Sequence, residues 1–238
     1  MTCRRLNQRG NLLLDDDSIK KSREDLYKSA RGYCIFPDFL STPEVNSLKQ
    51  TWVHTNDTDH FKGPPNGELT ESTPNFVTQD LEDPQTTYHN FLWNEPWHAA
   101  TYSITLQVQL IRNQITDKPV NTGLSPTSDR TVAYNCVRTL GGTPVKPHQD
   151  TTDNPLHFPG LQATLFLSDH GKDYSGRGFV FTTNDGEKIV LGRDRSVSSG
   201  DLLLWRFGNE HAIADVETTE DQLGFLRIIY PQPRVNSR

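Results

Sequence analysis

The stretch Gly141-Gly142-Thr143-Pro144-Val145-Lys146-Pro147-His148-Gln149-Asp150 decides how the rest of the chain is read. Residues two apart on a strand point the same way, so His148 and Asp150 would present an imidazole and a carboxylate to one point. A second histidine arriving from far downstream would place two nitrogens and one carboxylate on one face of a metal. The triplet proves little alone. With 8 histidines and 30 carboxylates in 238 residues, chance supplies about one His-x-carboxylate triplet. A loop histidine beside a solvated aspartate has the same sequence. The meaning therefore rests on the surroundings.

Working outward, the texture on both sides is β-prone. Thr131-Val132-Ala133-Tyr134-Asn135-Cys136-Val137-Arg138 precedes the triplet. Leu161–Leu167, Phe179-Val180-Phe181, Ile189-Val190-Leu191, Leu202-Leu203-Leu204-Trp205 and Phe225–Tyr230 follow, separated by Gly, Asn, Asp and Ser clusters. Many short strands without an intervening helix predict a sandwich or barrel. A jelly roll of about eight strands fits this length. A double-stranded β-helix of this kind brings early and late strands side by side. The second histidine we expect is His211, which follows the turn and buried strand Ser199-Gly200-Asp201-Leu202-Leu203-Leu204-Trp205. Arg227 lies later, inside an apolar run, where a charge needs a partner or an outward face. It reads either as a surface arginine or as a buried carboxylate anchor, because a guanidinium grips a carboxylate bidentately. The remaining histidines, His54, His60, His89, His98, His157 and His170, read as solvated or hydrogen-bonded side chains.

Composition narrows the class. The net charge of −6 disfavours a nucleic-acid partner. No apolar run reaches membrane length, and Leu12-Leu13-Leu14 runs straight into Asp15-Asp16-Asp17. Three scattered cysteines, Cys3, Cys34 and Cys136, form no CxxC and argue against a disulfide framework. The expectation is a soluble, cytoplasmic protein in a reducing compartment.

The first half reads as support. Residues 1–17 form a loose arm, and 18–238 a single domain. Residues 18–31 suit a surface helix ended by Gly32, and Tyr33-Cys34-Ile35-Phe36 a buried strand. Thr42 would cap the next helix, with Pro43 at its first position. Residues 54–87 read as a long polar loop. The aromatic segment Tyr88–Trp97 reads either as core packing or as the wall of a substrate pocket, with Trp93 and Trp97 as candidates. Residues 97–115 form a helix with Ile104, Val108, Ile111 and Ile115 on one face.

These segments, taken together, resemble the Fe(II)/2-oxoglutarate-dependent dioxygenases, in particular the phytanoyl-CoA hydroxylase-like and prolyl-hydroxylase-like branches. Gly32–Ser41 is similar to the opening "GY-apolar-apolar-x-x-FLS" of those branches, and Pro147-His148-Gln149-Asp150 to P-H-x-D. Leu165–Asp169 and Ser175–Phe181 resemble the strand and "GG-x-apolar-x-F" that follow. Gly200–Leu204 with His211-Ala212 resembles the closing "GDLLLF…HA". The resemblance covers residues 32–50 and 131–231.

It implies a double-stranded β-helix (jelly roll, cupin-like) core with flanking helices, mainly β. It implies that His148, Asp150 and His211 hold Fe(II), and that 2-oxoglutarate and O2 are co-substrates. The family often places its oxo-acid cation shortly after the distal histidine, where this chain has Asp221. The anchor is then Arg227, with Arg138 as second choice and Tyr134 and Asn135 as further cofactor-binding candidates. Arg177 replaces a glycine of the usual pair and is expected to face the substrate. Asp150 argues against a halogenase, which keeps a Gly or Ala there. The implied reaction is hydroxylation of a C–H bond of a small molecule, with release of succinate and CO2. The alternatives are a peptide or protein hydroxylase, a zinc or manganese cupin enzyme, and a non-catalytic cupin-like binding or sensor module. Oligomeric state is not legible in the sequence.

Overall fold

The computed structural model describes residues 14–54, 61–62, 75, 77–80, 85–91, 94–95, 97–119, 122, 130–143, 145–150 and 160–235. Helix α1 (Asp16–Tyr27) begins where Asp15 accepts the Ser18 N–H at 2.7 Å. Strand β1 (Tyr33–Phe36) follows. Helix α2 (Thr42–Lys49) is capped one residue earlier than the sequence suggests: the Glu44 carboxylate takes both the backbone N–H (2.9 Å) and the hydroxyl of Ser41. A π-helical turn, Gln50–His54, extends it and buries Trp52.

Residues 54–87 correct the polar-loop expectation in part. They carry β2 (Phe61–Lys62) and β3 (Val77–Asp80), with β4 (Gln85–Phe91) next, so the aromatic segment begins on a strand. The sequence of β4, Gln85-Thr86-Thr87-Tyr88-His89-Asn90-Phe91, shows no clean apolar alternation, which hides a strand from periodicity. Helix α3 (Ala99–Ile115) matches expectation, and Ile104, Val108, Ile111 and Ile115 are all buried. Each contributes about 1.5–3 kcal/mol of hydrophobic stabilisation.

Eight further strands form the core: β5 (Arg130–Thr139), β6 (Val145–His148), β7 (Leu161–Phe166), β8 (Ser175–Thr182), β9 (Lys188–Leu191), β10 (Leu202–Arg206), β11 (His211–Glu217) and β12 (Phe225–Val235). One sheet runs β1-β10-β7-β12-β5-β4-β3-β2, and the other β6-β11-β8-β9. Successive core strands from β5 to β12 alternate between the two sheets except at the β8–β9 hairpin, the winding of a double-stranded β-helix.

Period-2 alternation sorts the large sheet into two faces. Cys34, Phe36, Cys136, Ala163, Leu165, Leu202, Leu204, Leu226 and Ile228 pack outward on Leu26, Leu48, Trp52 and α3. Tyr33, Phe166, Leu203, Trp205 and Phe225 point inward to meet Phe179, Phe181, Ile189 and Ile213 of the small sheet. Arg112, buried in α3, donates to the Leu161 carbonyl at 2.5 Å and pins the helix to the start of β7. Burial lowers its pKa to about 9.

Gly200 holds the turn before β10. Its φ is +98°, and a Cβ there would lie 2.6 Å from the Leu40 carbonyl oxygen. Its own carbonyl accepts from Leu40 N at 2.9 Å. Gly200→Ala is expected to lose about 3 kcal/mol of unfolding free energy, from backbone strain plus displacement of Leu40. The urea midpoint of the purified variant checks this.

Candidate metal centre

The register that pairs β6 with β11 sets His148 directly opposite His211. Their rings lie 4.3 Å apart between centroids. Asp150, two residues beyond His148, reaches both: Oδ1 is 4.0 Å from His148 Nε2 and Oδ2 is 3.8 Å from His211 Nε2. One ligand atom from each residue falls within 4.8 Å of the others. An octahedral shell with bonds of about 2.1 Å has edges of about 3 Å, so small side-chain rotations close the set.

Both imidazoles are oriented from behind. His148 Nδ1 lies 2.9 Å from the Lys146 carbonyl, and His211 Nδ1 lies 3.2 Å from the Asn209 carbonyl. A carbonyl only accepts, so each Nδ1 carries the proton and each Nε2 keeps its lone pair for a ligand. Burial is the main influence on His211 and holds its pKa below the ordinary histidine range, opposed by the Asp150 carboxylate. The imidazole is therefore neutral near pH 7, the form that binds metal.

Four buried side-chain atoms near this interior have no hydrogen-bond partner among the described residues: Asp150 Oδ2, Arg227 Nη1, Thr139 Oγ1 and Trp205 Nε1. An unsatisfied buried polar group costs about 1–3 kcal/mol, more when charged. They are the atoms a bound group could satisfy.

Arg227 pairs in register with Val137 and Phe166, which puts it on the inward face. Its guanidinium lies 5.0 Å over the Phe225 ring, and burial lowers its pKa to about 10. Thr139 stands opposite Phe225 on the same face, diagonal to Arg227. Arg138 occupies the other face, in register with Leu226, and its Nε donates to the Leu223 carbonyl at 2.8 Å. Of the two candidate anchors, only Arg227 is turned into the barrel.

Asn135 shares the inward face with Val137 and Thr139; Tyr134 is on β5, with its side chain outside the described residues. Arg177 sits at the surface, half-exposed, with Nε 2.6 Å from Asp215 Oδ2. Trp97 is 54% exposed, lies just before α3 and packs on Tyr102 of that helix, with ring centroids 4.5 Å apart. Trp93 lies outside the described residues. Sequence reasoning missed Thr139 and Trp205. Extending the β5 reading by one residue would have put Thr139 in phase with Asn135 and Val137. Trp205 carried no signal beyond ending an apolar run.

No family model matches the chain, and no curated protein matches it. Solved structures do. A Pseudomonas putida prolyl-4-hydroxylase superimposes with a TM-score of 0.55 at 14% identity, covering 92% of this chain and 99% of that one. The chain shares the fold of the Fe(II)/2-oxoglutarate oxygenases. The epimerase SnoN, solved with Fe3+, alpha ketoglutarate and nogalamycin RO, gives 0.58 at 10% identity over 94% and 88% of the two chains. A Trichoplax adhaerens prolyl hydroxylase, in complex with a hypoxia inducible factor peptide fragment, gives 0.55 at 12% over 90% and 88%. The oxygenase fold accounts for the order of the core strands and for the pairing of β6 with β11 that brings the two histidines together. Among the described residues, no helix is long and apolar enough to cross a membrane.

Proposed function

We propose that the protein is a non-haem Fe(II)/2-oxoglutarate-dependent oxygenase that hydroxylates a C–H bond of a small molecule. The observation that carries this reading is a pair of buried side-chain atoms without a hydrogen-bond partner among the described residues, both on charged residues of one barrel: Asp150 Oδ2, of a carboxylate set between two Nε2 atoms, and Nη1 of the inward Arg227. The first suits a divalent metal and the second a carboxylate. Iron(II) held by His148, Asp150 and His211, with 2-oxoglutarate and dioxygen as co-substrates, would supply oxidation of a C–H bond coupled to formation of succinate and carbon dioxide.

The chain's own residues have three tasks. Lys146 and Asn209, through their carbonyls, fix the tautomers of the two histidines. Arg227 and Thr139 grip the far carboxylate of the oxo acid and set its direction in the barrel. Phe179 and Trp205, whose rings lie 5.9 and 5.3 Å from that of His211, keep water away from that imidazole. The nogalamycin compound bound by the epimerase of the same fold supports a small-molecule substrate. The peptide bound by the prolyl hydroxylase supports the rival reading, and turnover assays on small molecules against peptides separate the two. A cytoplasmic setting fits Cys34 and Cys136, both buried and unpaired, whose thiols burial pushes well above their ordinary pKa.

Anaerobic titration of the apoprotein with Fe(II) and 2-oxoglutarate tests the reading. A visible metal-to-oxo-acid charge-transfer band is expected. Folded, iron-loaded protein that shows no band overturns the oxygenase reading in favour of another metal or a binding module.

A further inference from the structure

We infer that Asn209, braced by Asn184, is a positioning residue that ties the distal metal ligand to the turn between α1 and β1. The inference rests on the metal reading above and extends it to residues that touch neither metal nor co-substrate.

The two histidines are held very differently. His148 is 42% exposed, and it is oriented by the Lys146 carbonyl on its own strand. His211 is 9% exposed and is oriented by the Asn209 carbonyl, which belongs to the tight turn between β10 and β11. That turn is cross-linked on several sides. Asn209 N donates to the Arg206 carbonyl at 3.1 Å, closing the turn. The Asn209 side chain, only 5% exposed, donates to the Thr182 carbonyl at 3.1 Å and to Asn184 Oδ1 at 3.2 Å. Thr182 N returns a bond to the Glu210 carbonyl at 2.8 Å. The turn thus hangs on the end of β8 as well as on its own strands.

Asn184 passes the connection outward. Its Nδ2 donates to the carbonyls of Ser29 (2.8 Å) and Leu26 (3.2 Å), and its backbone N–H to that of Ala30 (2.9 Å). Arg206 Nη2 donates to the same Oδ1 that accepts from Asn209, at 2.7 Å. The fit leaves no slack. Gly32 has a φ of +75°, and a Cβ on it would lie 2.5 Å from Asn184 Oδ1 and 2.8 Å from Asn209 Nδ2. The chain leaving α1 therefore packs directly against the pair of asparagines behind His211.

Partners that orient a metal-binding histidine from behind typically change metal affinity about 10- to 100-fold when removed. Here the orienting atom is a backbone carbonyl, so the side chains act by holding the turn that carries it. The test is Co(II) titration of the apoprotein, followed by the visible d–d spectrum, alongside thermal unfolding without metal. Asn209→Ala is expected to weaken Co(II) binding about 10-fold or more and to change the spectrum. Asn184→Ala, at a more exposed position, is expected to weaken it a few-fold and serves if the first variant does not fold. Thr183→Ala loosens the same β8–β9 hairpin, where its hydroxyl bonds Asp185 and the Glu187 carbonyl, without touching Asn209. It is expected to keep wild-type affinity and spectrum. Wild-type Co(II) affinity and spectrum in both asparagine variants, or equal loss in Thr183→Ala, overturns the positioning role. Failure of the wild-type protein to bind Co(II) overturns the metal centre itself.

Discussion

Asp150→Ala is expected to abolish Fe(II)-dependent consumption of 2-oxoglutarate and to weaken metal binding more than about 100-fold, since even outer partners of a ligand are worth 10- to 100-fold. Two histidines alone leave the metal without the charge that balances it. The sharper expectation concerns stability. The metal-free wild type holds a buried carboxylate oxygen with no hydrogen-bond partner. Removing it should leave the apoprotein as stable as before, or more stable by up to about 1–3 kcal/mol. A urea titration of the two apoproteins reads the stability, and isothermal titration reads the metal. A variant that keeps its activity removes Asp150 from the triad. One that loses both activity and fold shows that the carboxylate serves the structure.

The second large effect is expected at Arg227. Arg227→Met keeps the bulk of the side chain and removes the charge. Truncating one partner of a buried, hydrogen-bonded ion pair costs about 2–5 kcal/mol, so the Kd for 2-oxoglutarate should rise about 30-fold or more. The iron requirement should stay near wild type, because the guanidinium lies over Phe225 and is not one of the three groups gathered as metal ligands. Arg138→Ala is the comparison, since that side chain faces the other way and donates to the Leu223 carbonyl. If the oxo-acid requirement moves with Arg138 and not with Arg227, the anchor is misassigned. The apoprotein should again tolerate the change, because an unpaired buried cation is a burden on the fold.

What the sequence disclosed follows physical lines. The run from 131 onward was legible because strands buried on one or both faces are apolar and short, with glycine and polar turns between them. His148, Asp150 and His211 were legible because metal chemistry restricts residue type, and a period of two fixes which residues share a face. Helix α3 was legible from four apolar residues at helical spacing. Strands β3 and β4 were not, because the Gln and Thr residues of a polar strand copy the composition of a loop. Thr139 and Trp205 stayed hidden because an unsatisfied buried atom is a property of three-dimensional surroundings. The sequence put Arg227 ahead of Arg138 as the anchor, but that the two face opposite ways shows only in the register of β12 against β5. Arg177 was expected at the substrate, and the structure gives it a surface carboxylate, Asp215, instead.

The place of β12 bears on how the molecule is made. Residues 225–235 pair with β7 on one side and β5 on the other, so this late segment lies in the interior of the large sheet. Strand β1, an early segment, lies at an edge of the same sheet and among the described residues pairs with β10 alone. During synthesis the earlier strands therefore emerge with a gap where β12 belongs, and the edges of β5 and β7 that pair with it wait without a partner. Long-range pairing of this kind makes folding slow and leaves nascent chains prone to aggregation. A chain stopped before residue 225 would lack the strand that joins its two halves and would go to proteolysis, while small losses at the other, polar edge of the same sheet would leave the barrel closed.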